Sequence, residues 1–525
     1  MSARVRWMTG WLVVTCSVAG CRKAGGEPPP PEKPLVGGLG RRLAPGPMAD
    51  LKLSKDGAWA SFLRNPKRPA VQGVSPLMAL GELGVASLRD GTVRFVGQAV
   101  ANRPGSVLFS PDARWLLFVD GFNAASESGS LRTLALGSPG EPELRGRSVS
   151  FVAVSPTGNA FAFVDGGVLR VAALQAGSSP RAVAADVSTA QFTPDGAWLL
   201  VHRRAAAGGA LERASVDGSR PPLRLGDAVG DWTLSTDGKR VAFATRSATV
   251  RDGRDLWVAA LPDGKPVRVA TGSGTFSFSP DGALLARIER EKASSIGNLV
   301  VGASTGGPGR RIAERVGDFS FAPDGRAVAA LANYDEQQRW GRLVYSPLPD
   351  GAPVELAKRV TTWVWSPDNK HLAFNLRVFH PLPSVDLWIY DRGTPAASQL
   401  MANVYGYDFG PGGVLYFRSD CIREARACTL NRLDFAVPGA KPTPLLEGIF
   451  GFRVSDAANR LLVTYARTDA ETYDVAVMNL KTSVRTTLDE RILLPALFPD
   501  PQGSRVVYLI SQGERSGLYL CDQVP

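Results

Sequence analysis

Short apolar runs recur along this chain, three to five residues long and bounded by turn-forming residues. Trp115-Leu116-Leu117-Phe118-Val119 and Val241-Ala242-Phe243 are two of them. Runs this short and this continuously apolar predict strands covered on both faces. No long amphipathic helical stretch interrupts them. Ahead of each run stands a polar phrase whose clearest copy is Phe278-Ser279-Pro280-Asp281-Gly282-Ala283-Leu284-Leu285-Ala286. Phe278 ends one strand, Ser-Pro-Asp-Gly turns the chain, and Ala283 begins the next. Proline presets the first corner, the Ser and Asp side chains accept backbone N–H groups, and glycine takes the left-handed conformation that releases the chain.

Eleven copies occur. Their second residues are Ser54, Ser110, Ser155, Thr193, Ser235, Ser279, Ala322, Ser366, Gly410, Ser455 and Pro499, so that most intervals fall between 42 and 45 residues. That period is the length of one four-stranded propeller blade and predicts an all-β chain of about eleven blades. Within one repeat, strand A is 274–278, strand B 283–290, strand C 298–303 and strand D 310–313. The turn Asp residues Asp112, Asp195, Asp237, Asp281, Asp324 and Asp368 recur once per blade. They are structural rather than paired carboxylates or calcium ligands. The first interval is longer by about a dozen residues, which places an insertion between Arg64 and Leu83. A second irregular stretch, 378–383, interrupts the eighth repeat.

The last repeat supplies strands A to C and then the chain stops. Before the first repeat, Gly40-Arg41-Arg42-Leu43-Ala44 copies the strand D segment Gly309-Arg310-Arg311-Ile312-Ala313. The N-terminal strand is therefore expected to complete the last blade, leaving no unpaired edge. Propellers typically hold 4–8 blades, so the expectation is two packed propellers of five and six blades. They would comprise residues 40–272 and 273–525, divided somewhere in 270–315. One large ring is the alternative.

Residues 1–21 read as an export signal: Arg4 and Arg6, an apolar stretch too short to span a membrane, then small residues. Val18-Ala19-Gly20-Cys21 resembles a bacterial lipobox, which implies cleavage before Cys21 and lipid attachment to it. Residues 22–39 include a proline-rich run, Pro28 to Pro34, suited to a tether. The formal charge of +11 falls to +9 when Arg4 and Arg6 leave with the signal. No dense basic run accompanies it, so the charge reads as arginine spread over the surface, and no nucleic-acid partner is expected.

Candidate chemistry is sparse. Gly302-Ala303-Ser304-Thr305-Gly306 matches a nucleophile-elbow string, but it falls at a C–D turn with no helix to follow. The three histidines, His202, His371 and His380, form no metal spacing. His371 is expected to be exposed, and His380 lies in the irregular 378–383 stretch. Cys421 and Cys428 flank a B–C junction and are expected to form a disulfide in an oxidising compartment. Cys521 is left odd in the last strand C. No catalytic residue, cofactor or metal site is assigned.

The Phe-Ser-Pro-Asp-Gly phrase followed by an aliphatic strand resembles the WD-like propeller repeat of TolB and of prolyl-oligopeptidase relatives. The resemblance covers nearly everything from Gly40 onward. It implies the fold far more than any function. The chain departs from TolB in its lipobox, its lack of an N-terminal α/β domain and its number of repeats. The expectation is a lipid-anchored bacterial envelope protein, held at the outer membrane and facing the periplasm or the cell surface. It would act as a protein-binding or scaffolding module. The alternatives are a module binding cell-wall glycan, or a propeller enzyme of the polysaccharide lyase or hydrolase type.

Overall fold

The computed structural model describes residues 38–71, 75–204, 208–247, 253–290, 296–377, 385–422, 424–455, 459–467, 472–493, 495–522 and 524. The signal, Cys21, most of the tether and His380 lie outside them. The described residues form antiparallel sheets, five of four strands and three of seven. Each seven-stranded sheet is two blades joined by one twelve-residue strand: Glu143–Val154, Leu223–Leu234 or Val354–Trp365. Such a strand is D of one blade in its first half and A of the next in its second. Eleven four-stranded blades result.

The turns form as their residues dictate. Ser279 Oγ donates to Asp281 Oδ1, which accepts the Ala283 N–H at 3.0 Å, while the Leu284 N–H donates to Ser279 Oγ at 2.9 Å. Gly282 sits at φ 72°. The pattern repeats at Asp56, Asp112, Asp195, Asp237 and Asp368. Ala113 and Asn369 stand in the glycine position and take φ 56° and 64°. At Asp324 the upstream hydroxyl is missing, because Ala322 replaces serine, and Arg392 Nη1 donates to the second carboxylate oxygen at 2.7 Å instead.

A second recurring device sits where strand D turns toward the next blade. A residue at positive φ precedes a fully buried Val or Ile: Asp186-Val187, Ala228-Val229, Arg315-Val316, Arg359-Val360, Asn403-Val404, Gly448-Ile449 and Arg491-Ile492. The left-handed residue shifts the ladder register, and the branched side chain drops into the core as the anchor.

Strand B is buried on both faces in blade after blade, as in Leu461-Leu462-Val463 and Val506-Val507-Tyr508-Leu509-Ile510. These residues make eleven hydrophobic clusters, each joining one blade to the next. Leu200 and Leu211 meet Val241 and Phe243 between blades 4 and 5. Ala60 and Phe62 of blade 1 meet Val507, Leu509 and Leu518 of blade 11. Packing continues through residues 270–315 in both directions. Phe278 and Leu285 lie on Ala242, Leu256 and Val258, and Ile288 and Leu299 lie on Val328 and Ala330. Consecutive blades thus pack on one another in sequence order, from blade 1 through blade 11 and back to blade 1.

The N-terminal strand completes the last blade. Arg41–Pro45 runs antiparallel to Gly517–Asp522, with Arg42 opposite Tyr519 and Ala44 opposite Leu518. The segment just before it reaches blade 10, where the Leu39 N–H donates to Leu488 O at 2.8 Å. Gly38 and Gly40 make the approach possible, since a Cβ on either would run into Asp489 or Tyr508. Beneath them Asp489 is fully buried and accepts from Arg515 Nη2 and from Tyr508 Oη at 3.0 Å. Burial, and then the Asp489 charge, push the Tyr508 phenol up, so it remains a donor.

Candidate binding groove between the first two blades

The residues singled out in the sequence do not converge. Each turn Asp stays at the A–B turn of its own blade. Ser304 is buried at the end of the strand Gly297–Ala303, its N–H bonded to Ala283 O at 2.9 Å, in a C–D turn that leads into another strand. Cys421 and Cys428 are disulfide-bonded, and Cys521 is a buried free thiol. His371 is 9% exposed rather than exposed. Its ring stacks on Phe435 of the next blade at 4.0 Å, and Nδ1 is 2.6 Å from Asp391 Oδ1.

Many arginines are spent as struts between blades. Arg94 donates to Ser138 O and Gly140 O of the next blade's C–D turn, at 3.0 and 2.9 Å. Arg145 reaches Gln175 O and Ser178 O, both at 2.8 Å. Arg181 reaches Val216 O at 2.8 Å, and Arg310 reaches Pro347 O, Pro349 O and Gly351 O at 2.8–3.1 Å. A planar guanidinium fork suits several carbonyls at once where an ammonium would not. Arginines used in this way are committed to holding blades together.

The insertion of blade 1 lies between the strands Trp59–Lys67 and Leu80–Ser87. Its far end is clamped by Asn102, whose Oδ1 accepts the Ala79 N–H at 2.7 Å and whose Nδ2 donates to Leu77 O at 2.9 Å. The clamp leaves Leu77 82% exposed. Directly after the insertion, Glu82 opens a groove of about 580 Å³ between blades 1 and 2. One wall is Phe95 to Ala99 of strand D, and the other carries Asp120, Arg132 and Glu141 of blade 2.

The wall geometry follows from the ladder. Ser87 N–H donates to Thr92 O at 2.8 Å, which sets the alternation along strand D. Arg94 then faces its partner Val85, while the main-chain groups of Val93 and Phe95 face outward. A bulge follows at Val96, and Gly97 is required there, because a Cβ would press on Val100 and Phe118. Asp120 Oδ1 takes the Gln98 N–H at 2.8 Å, tying blade 2 to the bulge. Arg132 Nε lies 3.3 Å from Asp120. Arg64 pairs with Glu82 and lays its guanidinium 3.5 Å above the half-exposed Phe95 ring. Glu141, its side chain 90% exposed, pairs at 3.7 Å with Arg94, which also donates to the Ser138 and Gly140 carbonyls. The groove thus combines one half-exposed ring with three carboxylates, each beside an arginine: Glu82 with Arg64, Asp120 with Arg132 and Glu141 with Arg94.

No protein-family profile matches the chain, and no curated protein sequence does. Solved structures do resemble it. A eukaryotic initiation factor is 14% identical over 70% of this chain and 94% of its own, with a TM-score of 0.41. Tricorn protease is 11% identical over 91% of this chain and 60% of its own, with a TM-score of 0.30. Sqt1 from Chaetomium thermophilum is 13% identical over 64% of this chain and 97% of its own, with a TM-score of 0.34. This chain thus spans less than two thirds of the tricorn chain. The propeller assignment rests on the blades themselves.

Proposed function

We propose that this chain is a lipid-anchored protein of the bacterial cell envelope whose propeller serves as a protein-binding or scaffolding module. The observation that carries the binding role is the groove beside strand D of blade 1, lined by Phe95 to Ala99 and by the polar side chains of Glu82, Asp120, Arg132 and Glu141. Loops and edges on a rigid scaffold are where such folds place recognition. The anchor reading draws on Val18-Ala19-Gly20-Cys21 and the proline-rich stretch after it. In this reading the tether leaves the body at Gly38, beside the closing strand. The lipid sets the location, at the outer membrane, and the blades present the surface.

Two measurements test the proposal. Cys21→Ala is expected to move the protein from the membrane to the soluble fraction; equal retention of variant and parent on washed membranes would overturn the anchor. Affinity capture from envelope extract with the full chain is expected to give a stoichiometric protein partner. Retention on purified cell wall, with no protein captured, would favour the glycan-binding alternative instead.

A further inference from the structure

The insertion of blade 1 holds a leucine away from the body of the protein. We infer that its tip is a membrane-contact site, where Leu77 and Val71 enter the surface of the bilayer that holds the anchor and Lys67 and Arg68 meet anionic headgroups. This inference rests on the lipid-anchor reading above and adds an orientation to it.

The exposure of Leu77 is built into the loop. Ser75 to Met78 form a turn closed by the Met78 N–H on Ser75 O at 3.0 Å, with Pro76 in the position such turns favour. Asn102 grips the turn from outside: it accepts the Ala79 N–H, donates through Nδ2 to Leu77 O, and sends its own N–H to Ala79 O at 3.0 Å. Met78 packs on the core shared by blades 2 and 3. Leu77, next to it, stays 82% exposed, the most of any large hydrophobic side chain among the described residues. A leucine on a loose loop would need no explanation. One held out by four hydrogen bonds and a packed methionine is presented to something.

Composition names the occupant. From Asn65 to Gly81 the sequence has no acidic residue and carries Lys67 and Arg68. Both cations are exposed, as are Val71 and Pro76. Glu82, the first acid after the insertion, is paired with Arg64. Apolar side chains beside cations, with no acid among them, suit a lipid surface: the former reach the acyl boundary while the latter stay with anionic headgroups.

The position of the anchor agrees. The insertion begins at Asn65, whose N–H donates to Pro47 O at 2.8 Å, so its base lies against the link between the closing strand and blade 1. Gly38 is nine residues before Pro47, at most ~32 Å away along the chain, and residues 22–37 reach up to ~55 Å. The anchored lipid can therefore share one bilayer with the tip. A flexible link of this kind gives an effective concentration of roughly millimolar. A contact too weak to hold the free protein is then occupied in the anchored one.

The test places the lipidated protein in vesicles of equimolar phosphatidylethanolamine and phosphatidylglycerol. A nitrobenzoxadiazole dye is attached at Leu77→Cys, since Cys421 and Cys428 are bonded and Cys521 is buried. Its emission is expected to shift to the blue and to be quenched by lipids spin-labelled near the headgroup. The same dye at Ser138→Cys, an exposed position in the C–D turn of blade 2, is expected to do neither. Unlipidated residues 22–525 are expected to sediment with these vesicles at roughly millimolar lipid. Leu77→Asp should weaken that at least tenfold, and Lys67→Glu/Arg68→Glu should abolish the preference over phosphatidylcholine vesicles. No dye response at Leu77→Cys, an equal response at both positions, or sedimentation indifferent to Leu77→Asp would overturn the inference. So would capture of an envelope protein that is lost in Leu77→Asp while vesicle binding is unchanged. The two readings fail separately: release of Cys21→Ala from membranes, with no dye response in the lipidated protein, leaves the anchor standing and removes the tip.

Discussion

Replacing Arg515 by Met attacks the closure at a buried carboxylate, Asp489, whose cationic partner among the described residues is Arg515. Asp489 is completely buried and is held by Arg515 and Tyr508, with the bare backbone of Gly38 and Gly40 laid over it. Removing one partner of a buried ion pair typically costs about 3–5 kcal/mol, because the remaining charge is left uncompensated. Arg515 is 23% exposed, so water enters part of the vacated space, and the lower end, about 3 kcal/mol, applies. At about 1.4 kcal/mol per decade, opening of the last blade becomes roughly 100-fold more frequent. Hydrogen exchange reads this directly, as a faster loss of protection at Val506–Ile510 and Gly517–Asp522. The amides of Val241–Ala244, in blade 5, should change little. Tyr508→Phe removes a donor but keeps the cation, and about 1–2 kcal/mol is expected. The double variant Arg515→Met/Asp489→Asn removes the orphaned charge and should recover most of the loss. A deficit below about 1 kcal/mol, or a double variant no better than the single, would refute the reasoning.

Acid should loosen the turns. Donation by the Thr193 and Ser279 hydroxyls, then by the following backbone N–H, holds the carboxyls of Asp195 and Asp281 below the usual range. A depressed folded value stabilises above the unfolded value of about 4 and is lost as pH falls through the folded one. Melting temperature should therefore drop below about pH 4, with a shallower acid limb in Asp281→Asn; an unchanged limb would count against the turn's role. Opening the Cys421–Cys428 bond releases a short loop, which the chain-entropy relation puts at about 2.5 kcal/mol. Cys421→Ser/Cys428→Ser should show that loss by exchange in blade 9, and none if the bond is incidental. Arg310→Lys keeps the charge but loses the fork, so a stability fall near 1 kcal/mol is expected between blades 6 and 7. No fall would deny the strut role.

The blades were legible because each turn is local: Ser279, Asp281 and Gly282 satisfy one another within six residues, and strand B advertises its burial in composition. The closing strand was legible because Arg41-Arg42-Leu43-Ala44 repeats Arg310-Arg311-Ile312-Ala313. What could not be read depends on neighbouring blades. His371 looked like a solvent position because its strand-start equivalents are polar, yet Phe435, sixty-odd residues on, covers it. The arginine struts end on turn carbonyls of the following blade, which leave no mark in the sequence. The left-handed corners were readable in principle, since Arg315-Val316, Arg359-Val360 and Asn403-Val404 keep the 44-residue period. Their residue types vary too freely to announce a corner. The groove joins an edge of blade 1 to side chains 25 to 45 residues away, and only the fold brings them together.

Closure remains the claim on which the fold and the surface it presents depend. A crystal structure of residues 38–525 tests it most directly. The account predicts eleven blades in cyclic order, with Arg41–Pro45 paired to Gly517–Asp522 and blade 1 packed on blade 11. An open array, or a last blade whose fourth strand comes from elsewhere, would contradict it.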